Sequence, residues 1–257
     1  MAQTPSEPTA ERVRAIYGAA VLAELQGDLP TGSARVAEAR ALVEHMADPL
    51  VHGLVGIAEG LAALMAGDSQ RASACLEDAF GKTDDPTLQA AAMLLLGWGL
   101  EFRGETTRAL IWQEKALALS ESHGESVYRG YALWSIGVGW WRHGDRDRAE
   151  QLLKECLRAT HRVNDPRQSA ASLEALAWIG GETRDPWRAV VLMAAAEALG
   201  RSVGSTAVVL PHLQVFHDEC DRSARKALDA EEFEAAHLEG SSLRFDEAVT
   251  YAMQETT

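Results

Sequence analysis

The sequence predicts an all-α chain of tandem helical hairpins, an α-solenoid wound as a right-handed superhelix and closed by a short C-terminal helical cap. Three observations predict it. A glycine followed by an acidic residue recurs at Gly27-Asp28, Gly67-Asp68, Gly104-Glu105 and Gly144-Asp145 and continues as Arg184-Asp185, in steps of 40, 37, 40 and 40 residues. A fixed period of that size marks a repeat architecture. Small residues return at one depth after each turn, at Ala72, Ala109, Ala149 and Ala189 and again at Ala79, Ala116, Cys156 and Ala196, where helices must pass closely. Large apolar residues fall at helical spacing before the turns, at Leu96 and Leu100, Ile136 and Trp140, and Leu173 and Leu176, and are predicted core.

Taken in order, the polar stretch 1–9 reads as a disordered tail, 10–204 as five hairpins and 205–257 as the cap. Within each hairpin the glycine suits a left-handed position that ends one helix, and the acidic neighbour suits the positive start of the next. Between hairpins, Asp48-Pro49, Asp85-Pro86 and Asn164-Asp165-Pro166 place a capping Asp before a proline that fits the first helical position. The fourth hairpin carries Glu125-Ser126 there, which offers a serine cap without the proline. The first hairpin, 10–47, is looser, because Leu29-Pro30-Thr31-Gly32 lengthens its turn. After Gly204 the repeat stops and three short helices are expected.

Composition limits the function classes. A net charge of −14 and a pI near 5.0, with basic residues scattered among acidic ones, argue against direct nucleic-acid binding and against an anionic membrane surface. No apolar run approaches the ~20 residues of a membrane span, and the polar N-terminus is not a signal core. Cys75, Cys156 and Cys220 lie far apart without CxxC spacing, which fits a reduced, cytoplasmic setting. No phosphate loop and no Gly-x-Ser-x-Gly elbow is present, and no cysteine has a persuasive histidine partner, so a non-catalytic chain without cofactor is expected. His217, Cys220 and Asp221 share one helical face but lack a second ligand pair, and Glu234-x-x-His237 occurs once where a di-metal bundle needs it twice, so no metal is expected.

The run Leu133-Ser135-Ile136-Gly137-Trp140-Gly144-Ala149-Leu153-Cys156 resembles a tetratricopeptide repeat, with units near 40 residues implying helices longer than usual in that family. The stretch from about 176 to 254 resembles the C-terminal end of the helical sensor region in large actinobacterial LuxR-type regulators. Its carriers are RAVVLMAAAEAL at 188–199, FEAA at 233–236 with Glu239-Gly240, and EAVTYA at 247–252. That resemblance implies a sensor region without the nucleotide-binding and helix-turn-helix modules, touching DNA only through such a module.

Stacked hairpins place their first helices on a concave side. With Gly97, Gly137 and Ala177 taken as equivalent, the groove positions are Leu94, Trp98, Glu101 and Phe102, then Tyr131, Trp134, Trp141 and Arg142, then Glu174, Trp178 and Glu182. Aromatic residues make up 6% of the chain, so their concentration on one face points to a ligand-binding groove. The site is read as Trp98, Glu101, Phe102, Tyr131, Trp134, Trp141, Arg142, Glu174 and Trp178, taking a small molecule or peptide effector. The alternative is a stand-alone scaffold for a partner protein segment, and a homodimer is left open. Trp112, Trp140 and Trp178 are the residues most suited to fill gaps between repeats instead.

Overall fold

The computed structural model describes residues 9–182, 185–208 and 210–254. Among the described residues there are helices and turns and no strand. The chain divides into two compact units, Met1–Leu119 and Ser120–Thr257. The first holds α1 (Ala10–Leu25), α2 (Leu29–Val43), α3 (Pro49–Met65), α4 (Ser69–Lys82), α5 (Pro86–Phe102) and most of α6 (Thr106–Ser122). The second holds α7 (Val127–Arg142), α8 (Arg146–Arg162), α9 (Pro166–Glu182), α10 (Pro186–Ser202), a 3-10 turn at Pro211–Leu213, α11 (Gln214–Ala227), α12 (Ala230–Ser242) and α13 (Phe245–Met253). Consecutive helices pair as hairpins, α1 with α2 and α3 with α4 in the first unit, α7 with α8 and α9 with α10 in the second.

The turn chemistry follows the residues. Gly27, Gly67, Gly104 and Gly144 take φ of +82°, +79°, +73° and +89°, a region that a side chain would strain. Asp28, Asp68, Asp145 and Asp185 then accept from the backbone N–H three residues on, at 3.0 to 3.2 Å, and so cap the second helices. Arg184, the last member of the series, lies outside the described residues, as do 1–8 of the predicted tail. Asp48, Asp85 and Asp165 cap the first helices as expected. A second left-handed series, Gly124, Asn164 and Gly204, closes the ends of α6, α8 and α10.

Two local expectations are corrected. Ser126 makes no side-chain cap; Glu125 accepts from the N–H groups of Val127 (2.9 Å) and Tyr128 (2.5 Å). A carboxylate reaches the free donors of the first turn and also complements its positive end. Leu29-Pro30-Thr31-Gly32 is no extended turn but the start of α2, with Pro30 where its missing N–H costs nothing.

Within the hairpins the small residues serve close approach. Ala72, Ala109, Ala149, Ala189, Ala79, Ala116, Cys156 and Ala196 are at most 1% exposed. Their counterparts on the first helices are glycines: a Cβ on Gly60, Gly97 or Gly137 would collide with Leu76, Gln113 or Leu153, in each case sixteen residues further along. Leu96, Leu100, Ile136, Leu173 and Leu176 are buried as predicted. Trp140 is only half-buried, lying under the Arg148 guanidinium at 3.8 Å, where the cation rests on the indole face.

The segments 188–199, 233–236 and 247–252 pack together in the second unit. Val190 and Val191 of α10 meet Phe233 and Ala236 of α12 and Ala224 of α11, with Tyr251 of α13 against the cluster. Gly240 lies directly on the Val191 carbonyl, so no side chain fits there. Arg188 donates to the carbonyls of Tyr251, Ala252 and Gln254 at 3.1, 2.9 and 3.2 Å, satisfying the end of α13. These residues therefore specify how the terminal helices dock.

Candidate binding site

The first helices that carry the predicted groove, α5, α7 and α9, are buried over most of their length. In α9 every residue from Gln168 to Gly180 is buried, and in α5 every residue from Ala90 to Leu100. Trp98, Trp134 and Trp178 are 5, 2 and 3% exposed and Glu174 is fully buried. The expectation that these four line an open concave groove is thus corrected: they are interior. Trp134 donates its indole N–H to the Ala171 carbonyl at 3.0 Å, pinning α7 to α9. Glu101, Phe102, Tyr131 and Trp141 are half-buried, and Arg142 is exposed. Glu101 accepts from Thr106 at 3.4 Å, and Tyr131 accepts from Arg167 at 2.7 Å.

Three of the predicted residues come together in the second unit with Phe216 and His217, which lie outside the predicted groove. Trp141 and Trp178 lie 5.4 Å apart between ring centres. Phe216 of α11 stands edge-on to Trp141 at 4.8 Å and 5.7 Å from Trp178, closing a three-ring cluster. Beside it, Glu174 Oε1 accepts from both Trp178 Nε1 and His217 Nδ1, each at 2.8 Å. The second ring nitrogen of His217 faces Glu197 at 4.0 Å. The hydrogen bond to Glu174 raises the His217 pKa against the opposing effect of burial, with the charges of Glu174, Glu197 and Asp218 adding to the rise. Cys220, one turn further on, donates to the Ala177 carbonyl at 3.4 Å. Thus α11 lies on the first-helix face of the last hairpin and covers it.

Beside this contact opens a cleft of about 260 Å³, lined by Glu197, Arg201, Thr206, Gln214 and His217 among others. Burial first and then the charge of Arg142 push the His212 pKa down to about 4. The residues weighed for a metal point to separate partners: His217 to Glu174, Cys220 to Ala177, Asp221 to Arg225. Among the described residues no group of three or more His, Cys, Asp and Glu is placed to hold a metal ion, and no helix is long and apolar enough to cross a membrane. Burial pushes the thiols of Cys156 and Cys220 up to about 11 and about 12, and that of Cys75 above its ordinary value.

No protein-family model matches the chain, and no curated protein matches it. Among solved structures, the crystal structure of BtubC (BKLC) from P. vanneervenii is similar, with a TM-score of 0.57 and 21% identity over 82% of this chain and 91% of that one. At this identity the likeness is one of fold, an all-helical repeat.

Proposed function

We propose that the chain is a non-catalytic binding module of helical hairpins, working as the sensor region of a LuxR-type regulator. The observation that carries the reading is a coincidence of place. The aromatic and acidic cluster of Trp141, Glu174 and Trp178 sits in the same unit as the docked helices α10, α12 and α13, whose sequence resembles that sensor. An event at the cluster has a direct route to the terminal helices through α11, and an effector acts only by binding two such arrangements unequally. Burial raises the thiol pKa values of Cys75, Cys156 and Cys220, which disfavours their thiolate forms.

A scaffold for a partner protein segment is the second reading. Burial of Trp98, Trp134 and Trp178 favours it, because these rings are interior and line no open groove for a small molecule. Titration of the chain with small aromatic effectors and with amphipathic peptides, followed by tryptophan emission, tests both. A ligand of the cluster changes the emission, and Trp178→Phe abolishes the change while helical circular dichroism persists. An unaltered response in Trp178→Phe would place binding elsewhere and refute the assignment. For the regulator, the adjoining coding sequence should encode an in-frame phosphate loop upstream and a helix-turn-helix downstream; unrelated genes there would favour the scaffold.

A further inference from the structure

We infer that the first-helix face of the last hairpin is a helix seat, filled by α11 when no partner is bound, whose partner is an amphipathic helix bearing an aromatic residue followed directly by a cationic one. The inference rests on the binding-module reading and names the partner of that site.

The chain displays the required chemistry on itself. Within α11, Phe216 packs on the Trp141 and Trp178 rings, His217 meets Glu174, and Cys220 continues the contact one turn on, while Ala224 a turn later packs against Val190 and Val191 of α10 and Phe233 of α12. Anchors at that spacing describe a helix laid into a groove. The hold is narrow. Only Cys220 and Ala224 of α11 are buried, Gln214, Val215, Asp218, Glu219, Arg222 and Ser223 face solvent, and no side chain caps its first turn.

The seat also has capacity that α11 leaves unused. Both hydrogen bonds to Glu174 fall on Oε1, while Oε2 is buried without a hydrogen-bond partner among the described residues, and so is the indole nitrogen of Trp141. Buried polar atoms in that state carry a standing penalty. An imidazole offers a carboxylate one donor, whereas a guanidinium offers two in a planar fork that matches both oxygens. Glu197 adds a second carboxylate near the same point, and a net charge of −14 draws cationic partners toward the chain. A helix with Phe-Arg or Trp-Arg where α11 has Phe216-His217 therefore fits the seat better than α11 does.

The test is a fluorescein-labelled peptide spanning Leu213–Leu228 with His217→Arg, titrated by polarisation. Two full-length chains are compared, the unmodified one and one whose α11 is loosened by Phe216→Ala and His217→Ala. The peptide should bind the loosened chain at least about tenfold more tightly than the unmodified one. Its affinity should fall about tenfold when the peptide carries His217→Ala instead, or when the loosened chain carries Glu174→Gln, the loss of one charge-assisted bond. Binding indifferent to Glu174→Gln, or no binding to a loosened chain that keeps its helical circular dichroism, overturns the inference. Should the loosened chain unfold, His217→Arg in the otherwise unmodified chain decides: a higher Tm supports the seat and a lower one overturns it. A failed peptide beside an effector that still alters Trp178 emission removes this partner and leaves the module reading standing.

Discussion

Trp134 shows how much a single side chain reveals about a helix. Its position beside Gly137 and Trp141 suggests a face, yet apolar spacing does not distinguish a helix buried on one side from one buried on all sides. In α7 the residues from Ala132 to Gly139 are all buried, so the groove register falls on interior positions. Trp134→Ala should therefore cost about 3–5 kcal/mol in urea unfolding, the range for removing a buried aromatic ring. A loss below about 1 kcal/mol would return Trp134 to a surface role.

Glu24 in the first unit gives a second test at this scale. It is 2% exposed, neither carboxylate oxygen has a hydrogen-bond partner among the described residues, and burial raises its pKa from 4.5 to about 7. The folded state thus holds this proton more tightly than the unfolded chain does. Stability is undiminished below the unfolded value and is lost as pH rises through about 7. Glu24→Gln should match the natural chain near pH 4 and exceed it near pH 8 by about 3 kcal/mol, at roughly 1.4 kcal/mol per pH unit. Equal stability at both pH values would contradict the buried, neutral carboxyl.

Elements were legible where one residue type performs one backbone task. Gly27, Gly67, Gly104 and Gly144 end helices because φ near +80° suits glycine, and Asp28, Asp68 and Asp145 begin the next ones by capping them. Glu125 was not legible as a cap, since glutamate does this work less often than the serine next to it. The seating of α11 was not legible at all: His217 and Glu174 are 43 residues apart, and no local pattern announces a pair at that distance. Trp141, Glu174 and Trp178 could be named from sequence, but Phe216, which completes their cluster, could not.

That pair makes α11 sensitive to pH. The His217 pKa is raised, chiefly by its hydrogen bond to Glu174, so its contribution is fully present below the unfolded histidine value and is lost as pH rises through the folded one. The groups facing it are Glu174 on α9, Glu197 on α10 and Asp218 on α11 itself, all acidic. The hold on α11 should weaken as pH rises above the ordinary histidine value and through the raised one, seen as altered tryptophan emission without loss of overall helicity. His217→Gln should flatten that response, and an unchanged pH profile in the variant would refute the mechanism.

At the scale of the molecule, period and charge act on different questions. The 40-residue beat specified the hairpins of both units, and the segments 188–199, 233–236 and 247–252 contain residues through which the terminal helices dock. The net charge of −14 says nothing about fold but bears on partners, favouring cationic ones. What neither could convey is that α11 packs over the first-helix face of the last hairpin, the surface proposed above as a helix seat.

Amide hydrogen exchange across 214–227 tests that claim most directly, because exchange reports how often a segment leaves its place. In the free chain α11 should exchange at least about tenfold faster than α9 and α10, and faster still when the Leu213–Leu228 peptide carrying His217→Arg is added, as α9 becomes slower. Protection of α11 equal to that of α10, unmoved by the peptide, would make α11 a permanent part of the core and contradict the account.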